Sequence, residues 1–281
     1  MKKSFLLLFL CLFLLPRLTG EEKRNKVVSL SPALTEIIFA LGAGERLAGR
    51  SSACNYPSGV KKLPVMGDFG NPDRERILKS GATLVLTNDL INPTLVKRFK
   101  SMGITLRILP LAGENDYFQL LSFLGRLFRK EKEAASLAAS FRKDLALMEK
   151  LRKNAAFTPR KKALFIVWDR PLLAAGGRSL PDRILALAGL KNIASRVKSE
   201  YFKASMEWIT KEDPDYILFP GLPRERIRLL KNAPYWKNLR AVKKGRLITA
   251  QDEDLLFRIG PRWGKGIVEL QKKIIAAEKN N

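Results

Sequence analysis

The sequence predicts an α/β protein built as two similar lobes with parallel-type sheets, joined by one long α-helix, with a ligand cleft between the lobes. Three observations carry this expectation. First, short β-type runs alternate with helical stretches on both sides of the middle of the chain, the pattern of a parallel sheet. Second, residues 130–155 contain neither Gly nor Pro and place Ala134, Leu137, Ala138, Phe141, Leu145, Met148 and Leu151 at helical spacing; this predicts a single helix of roughly 35–40 Å at 1.5 Å per residue. Third, the halves echo each other. Glu75-Arg76-Ile77-Leu78-Lys79 precedes Leu84-Val85-Leu86 at the spacing with which Glu207-Trp208-Ile209-Thr210-Lys211 precedes Tyr216-Ile217-Leu218, and Ile37–Gly42 is echoed by Ile184–Gly189. Two such halves on one stiff helix leave a cleft, the usual place for a small ligand.

The elements follow in order. Val27-Val28-Ser29-Leu30 is a strand that enters a helix at Ser31-Pro32. Ser is a good N-cap, and Pro at the first helical position loses no needed N–H. Ile37, Ile38, Ala40 and Leu41 form the apolar face, and Gly42 and Gly44 end the helix. Strands are expected at 46–49, 83–87 and 105–109, with a helix over 94–102. After Pro159, strands are expected at 163–168, 216–219 and 246–249, and helices at 183–188 and 264–277. The expected organisation is a signal segment (1–20), an N-terminal lobe (21–129), the connecting helix (130–155) and a C-terminal lobe (156–281).

Lys2 and Lys3 precede the apolar run Phe5–Leu15, and Leu18-Thr19-Gly20 ends on a small residue. This reads as a cleaved secretory signal and places the protein in the periplasm. Cys11 follows Leu8-Phe9-Leu10, where a lipoprotein signal wants small residues, so no lipid anchor is expected. The remaining cysteine, Cys54, has no partner for an intramolecular disulfide and reads as a small buried residue.

Composition excludes whole classes. The 281 residues carry 52 Lys plus Arg against 27 Asp plus Glu, a net charge of +25, and no histidine. Without imidazole there is no Ser-His-Asp or Cys-His catalytic system and no His-ligated zinc. No nucleophile elbow, phosphate loop or paired-carboxylate signature is present, so no catalytic residue, resident cofactor or protein-held metal is expected. Loss of residues 1–20 removes Lys2, Lys3 and Arg17 and no acid, leaving +22. These cations are scattered and follow no nucleic-acid-binding pattern, so on an exported protein they read as a solvated surface.

Val28-Ser29-Leu30-Ser31-Pro32 with Thr35-Glu36, Asn55-Tyr56-Pro57, Gly70-Asn71-Pro72 with Glu75, Glu207 before its strand, and Gly260-Pro261-Arg262 occur in that order. This set resembles the periplasmic substrate-binding proteins of cobalamin and ferric-siderophore ABC transporters, over nearly the whole chain after residue 26. Phe69-Gly70-Asn71-Pro72, the Tyr56-Pro57 turn and Asp254…Arg258…Pro261-Arg262 are most similar to the cobalamin-binding branch. The resemblance implies a monomeric carrier that captures a corrinoid and delivers it to a membrane permease dimer, with ferric siderophore or haem capture as the alternative. Haem would need a tyrosine ligand here.

It also implies roles for residues. Glu75 and Glu207 match the exposed glutamates that salt-bridge to permease arginines; as ordinary residues they are first-turn helix acids favoured by the macrodipole. Tyr56, Phe69 and Tyr201 match cobalamin-contact positions, although tryptophans can stand at the last two; Trp168 is a looser match. All four aromatics are expected in loops near strand ends, as cleft walls or as loop packing. Flat aromatic walls suit a large macrocycle. Asp254 could accept hydrogen bonds from a corrinoid amide and Arg258 could pair with an anionic ligand, or the two could form an i, i+4 salt bridge.

Overall fold

The computed structural model describes residues 26–68, 70–88, 92–154, 161–250 and 252–279. The expected signal segment and the candidate contact Phe69 lie outside the described residues. Among the described residues no helix is long and apolar enough to cross a membrane.

The first half opens with β1 (Val27–Ser29), which leads into α1 (Pro32–Ala40). The Ser31 hydroxyl accepts from Leu34 N–H at 3.3 Å, Pro32 opens the helix, and Gly42 follows its end at φ 71°, where a side chain would be strained. Next come β2 (Leu47–Arg50), a small hairpin of β3 (Gly67–Asp68) and β4 (Asn71–Pro72), α2 (Arg74–Lys79), β5 (Leu84–Thr87), α3 (Pro93–Ser101), β6 (Thr105–Ile108) and α4 (Glu114–Phe128). The sheet runs β2-β1-β5-β6, parallel throughout.

The helix expected over 130–155 is α5 (Glu131–Asn154), 24 residues long, about 36 Å. Its fully buried residues are Ala134, Phe141 and Met148. They recur every seven residues, a narrow seam against its neighbours.

The second half contains β7 (Lys162–Asp169), β8 (Leu172–Ala175), α6 (Leu180–Leu187), β9 (Lys191–Asn192), β10 (Tyr201–Lys203), α7 (Met206–Glu212), β11 (Tyr216–Leu218), α8 (Arg224–Asn232), α9 (Arg240–Lys243), β12 (Leu247–Ile248), α10 (Asp254–Phe257) and α11 (Trp263–Lys279). Strands β9, β11 and β12 continue a parallel ladder around β7, so β9-β7-β11-β12 repeats β2-β1-β5-β6. Helix α6 repeats α1 in detail. Ser179 caps it by accepting from Asp182 N–H, Pro181 lies in its first turn, and Gly189 follows at φ 87°. The internal echo seen in the sequence is therefore a structural repeat. The second sheet differs in one respect: β8 and β10 add an antiparallel pair to β7.

Both sheets are covered on two faces. One core cluster takes the outer face of the first sheet (Val28, Val85, Phe99) and another that of the second (Leu164, Ile217, Trp236). The largest cluster is continuous between the halves, running from Leu34 and Ile37 through Tyr117, Phe141 and Trp263 to Phe165 and Ile184.

Candidate binding site

In parallel sheets the carboxyl ends of the strands carry the ligand-facing loops. In the first half, the loop after β2 places Asn55 and Tyr56 there. In the second, Trp168 is the last residue but one of β7, and the segment after β12 carries Asp254, Arg258 and Arg262.

The centre of the site is a carboxylate that sequence reasoning left without a role. Glu36, on α1, is only 2% exposed and receives both guanidinium groups of the other half. Arg262 donates to it from Nη2 at 2.8 Å and from Nε at 3.0 Å, and Arg258 from Nη1 at 3.3 Å. A buried charge held by two forked donors is satisfied where a lone one would not be. Arg258 Nη1 also donates to Asn55 Oδ1 at 2.6 Å, and its Nη2 contacts Asp254 Oδ2 at 2.9 Å. Asn55 Nδ2 reaches Asp254 at 3.4 Å. The Arg262 guanidinium lies 3.8 Å from the centroid of the Tyr56 ring, a close cation–π contact. Asp252 pairs with Arg262 at 3.5 Å.

Of the predicted contacts, the fold thus brings together Tyr56, Asp254 and Arg258. The i, i+4 pairing of Asp254 with Arg258 is the arrangement present, and Arg258 is 14% exposed, so its charge is already engaged. Trp168 and Tyr201 stand apart. Among the described residues, no hydrogen bond, ion pair or ring contact joins either to Tyr56, Asp254 or Arg258. The expectation that they lie in loops is corrected: Trp168 is in β7, and Tyr201 opens β10, which exists because the edge of β8 accepts it as an antiparallel partner. Both side chains are exposed all the same, as is Tyr56. Trp168 is steadied by its indole N–H, which donates to Arg170 O at 2.8 Å, and beside it Asp169 pairs with Arg226 of α8. Partial burial, and then the Glu200 charge, push the Tyr201 phenol upward.

Cys54 is buried, within 3.2 Å of the hydroxyls of Thr35 and Ser51, as expected of a small structural residue. Among the described residues no group of three or more His, Cys, Asp or Glu could hold a metal ion.

Glu75 and Glu207 are the second residues of α2 and α7, both exposed. Asp73 and Ser205 cap these helices by accepting from Arg76 N–H and Trp208 N–H, each at 3.1 Å. Each helix turns directly into a strand of its parallel sheet, β5 or β11. It therefore runs against that strand and starts toward the carboxyl edge. The two glutamates occupy equivalent places in the repeat, and among the described residues neither has an ion-pair partner.

A second bridge between the halves joins Glu114 at the start of α4 to Arg183 of α6, with Arg183 Nε donating at 2.6 Å. Burial opposes the Glu114 charge, but the arginine hydrogen bond and charge outweigh it and hold the carboxyl below its ordinary range. A carboxyl lowered on folding contributes stability above its unfolded value, and that contribution is lost as pH falls through the lowered one. Arg183→Ala is therefore expected to lower the melting temperature by about 2–4 °C at pH 7, in line with a partly exposed pair worth about 1 kcal/mol or less. The difference from wild type should begin to fade as pH falls below about 4.3, the ordinary glutamate value, and close as it passes through the lowered value of folded Glu114. Thermal melts of the two proteins across pH 3–7 check this.

Comparison with known proteins agrees with this fold. The family model described as "periplasmic binding protein" matches residues 27–253. The chain belongs to the periplasmic binding protein family, as a substrate-binding protein of the type in which a long helix joins two α/β lobes. It is similar to the vitamin B12-binding protein of Photorhabdus laumondii, with 27% identity over 84% of this chain and 83% of that one. It is also similar to the uncharacterized ABC transporter substrate-binding lipoprotein YvrC of Bacillus subtilis, with 27% identity over 91% of this chain and 82% of the relative. Among solved structures, the periplasmic heme-binding protein RhuT from Roseiflexus sp. RS-1 in its apo form superposes with a TM-score of 0.78 at 27% identity, covering 90% of this chain and 98% of that one.

Proposed function

We propose that this protein is an exported carrier that captures a corrinoid of the cobalamin type and delivers it to the permease dimer of an ABC importer. On this reading it acts as a monomer, runs no reaction and keeps no resident cofactor; the metal arrives inside the ligand. The observation that carries the proposal is the grouping of Tyr56 with Asn55, Asp254 and Arg258 at the carboxyl edges of two repeated sheets, in a chain similar to a vitamin B12-binding protein. A corrinoid presents a flat ring rimmed by amides. An aromatic face and a carboxylate with spare lone pairs meet both features, and Trp168 supplies a second exposed ring.

Haem capture is the second reading, supported by similarity to a heme-binding protein. Partial burial and Glu200 push the Tyr201 phenol upward, which makes Tyr201 the less suited of the two exposed candidate tyrosines, Tyr56 and Tyr201, to supply the phenolate of a tyrosine-ligated haem iron.

Titration of the purified protein with cyanocobalamin, haemin and ferric siderophores, followed by tryptophan quenching, tests the proposal. Cyanocobalamin alone is expected to bind at sub-micromolar Kd. Trp168→Ala should weaken it about fivefold or more, since stacking on a large ring is worth about 1–3 kcal/mol. Binding of haemin alone would transfer the function to the second reading.

A further inference from the structure

We infer that Glu36 sets the charge preference of the cleft, so that the site rejects ligands bearing carboxylates and accepts neutral ones rimmed by amides. The inference deepens the corrinoid reading and rests on it for the ligand class. On a chain of +25, a cleft would by default favour anions, and Arg258 and Arg262 are the cations placed to do so. The structure cancels them. Glu36 holds both guanidinium groups from beneath, Asp254 takes Arg258 at 2.9 Å, and Asp252 takes Arg262 at 3.5 Å. Three carboxylates face two guanidinium groups, so the cluster is net negative where the rest of the protein is strongly positive. Arg50 turns its Nη1 onto the carbonyls of Ser51, Ser52 and Cys54, so that donor is taken up within its own loop.

An incoming propionate or catecholate would have to displace Asp254 from Arg258 and then sit near Glu36, which cannot withdraw because it is buried on a helix of the core. An amide meets no such repulsion: its N–H can donate to the partly exposed Asp254 carboxylate. Rejection of this kind comes from a repulsive element as much as from an attractive one. Glu36 touches no ligand in this scheme; it is a positioning and charge-setting residue, acting through the two arginines.

The test compares wild type, Glu36→Gln and Asp252→Asn for haemin and cyanocobalamin binding. Asp252 is about half exposed, so D252N keeps the question answerable if E36Q folds poorly; circular dichroism and melting establish the fold of each. E36Q is expected to bind haemin about tenfold more tightly than wild type, while cyanocobalamin changes by less than about threefold, as removal of one nearby charge should do. D252N should shift haemin in the same direction by a smaller factor. Wild-type binding of cyanocobalamin tests the corrinoid reading. The change in haemin affinity from wild type to variant tests the role of Glu36, and it is read whichever ligand the wild type prefers. Unchanged or weaker haemin binding in the folded variants would overturn the inference.

Discussion

Reversing both Glu75 and Glu207 to lysine is expected to abolish ligand uptake while leaving ligand affinity within about twofold of wild type. The physical basis is position. Each glutamate is the second residue of a short capped helix that starts toward the carboxyl edge of its sheet, and the internal repeat makes the two sites equivalent. On the proposed reading the permease dimer presents two related surfaces, so a carboxylate on each lobe would fix both placement and orientation, with charge complementarity providing register. On so basic a chain these acids are local exceptions, and among the described residues neither is consumed by an ion pair. Each contact on its own is modest. Reversal replaces attraction with repulsion at both ends, whereas a single reversal should leave partial uptake. Uptake of labelled ligand by cells or by reconstituted transporter measures the first effect, and titration of the purified variant the second. Normal uptake by the double variant would sink the docking role.

Trp263→Ala is expected to destabilise the protein by about 3–5 kcal/mol, the range for deleting a fully buried large aromatic, and to lower the melting temperature by about 10 °C or more. Trp263 is 0% exposed. Its ring stacks on Phe141 of α5 at a centroid distance of 5.5 Å and 24°, and its indole N–H donates to Leu256 O at 3.0 Å. Phe141 in turn meets Tyr117 of α4 edge-on at 5.2 Å. One chain of rings therefore ties the N-terminal half, the connecting helix and the C-terminal half together at the middle of the seam. A cavity here would be lined by residues of three helices that cannot all move inward, which places the loss at the upper end for its class. Chemical denaturation of the variant checks the figure; a loss below about 1 kcal/mol would show that the junction does not depend on this ring.

Much of the architecture was legible beforehand where local rules agree with the fold. The Gly- and Pro-free run at 130–155 became α5, and Ser31-Pro32 and the paired glycines Gly42 and Gly189 marked helix ends as capping chemistry requires. Helix α4 was not anticipated. Its buried residues Tyr117, Leu120, Leu121, Leu124 and Phe128 stand at helical spacing, so the helical signal was present in the sequence and was overlooked. Strands β8 and β10 were missed because each is a short piece whose pairing, and not its pattern, makes it a strand.

The site divides in the same way. The sequence by itself determined the repeat, the connecting helix and which residue types stand near the strand ends, because these depend on contacts a few residues apart. Only the tertiary structure decided that Glu36 meets Arg258 and Arg262, 222 and 226 residues away, and that Arg258 is thereby neutralised. No local period encodes that meeting; it follows from two carboxyl edges brought face to face by a helix of fixed length and a shared core.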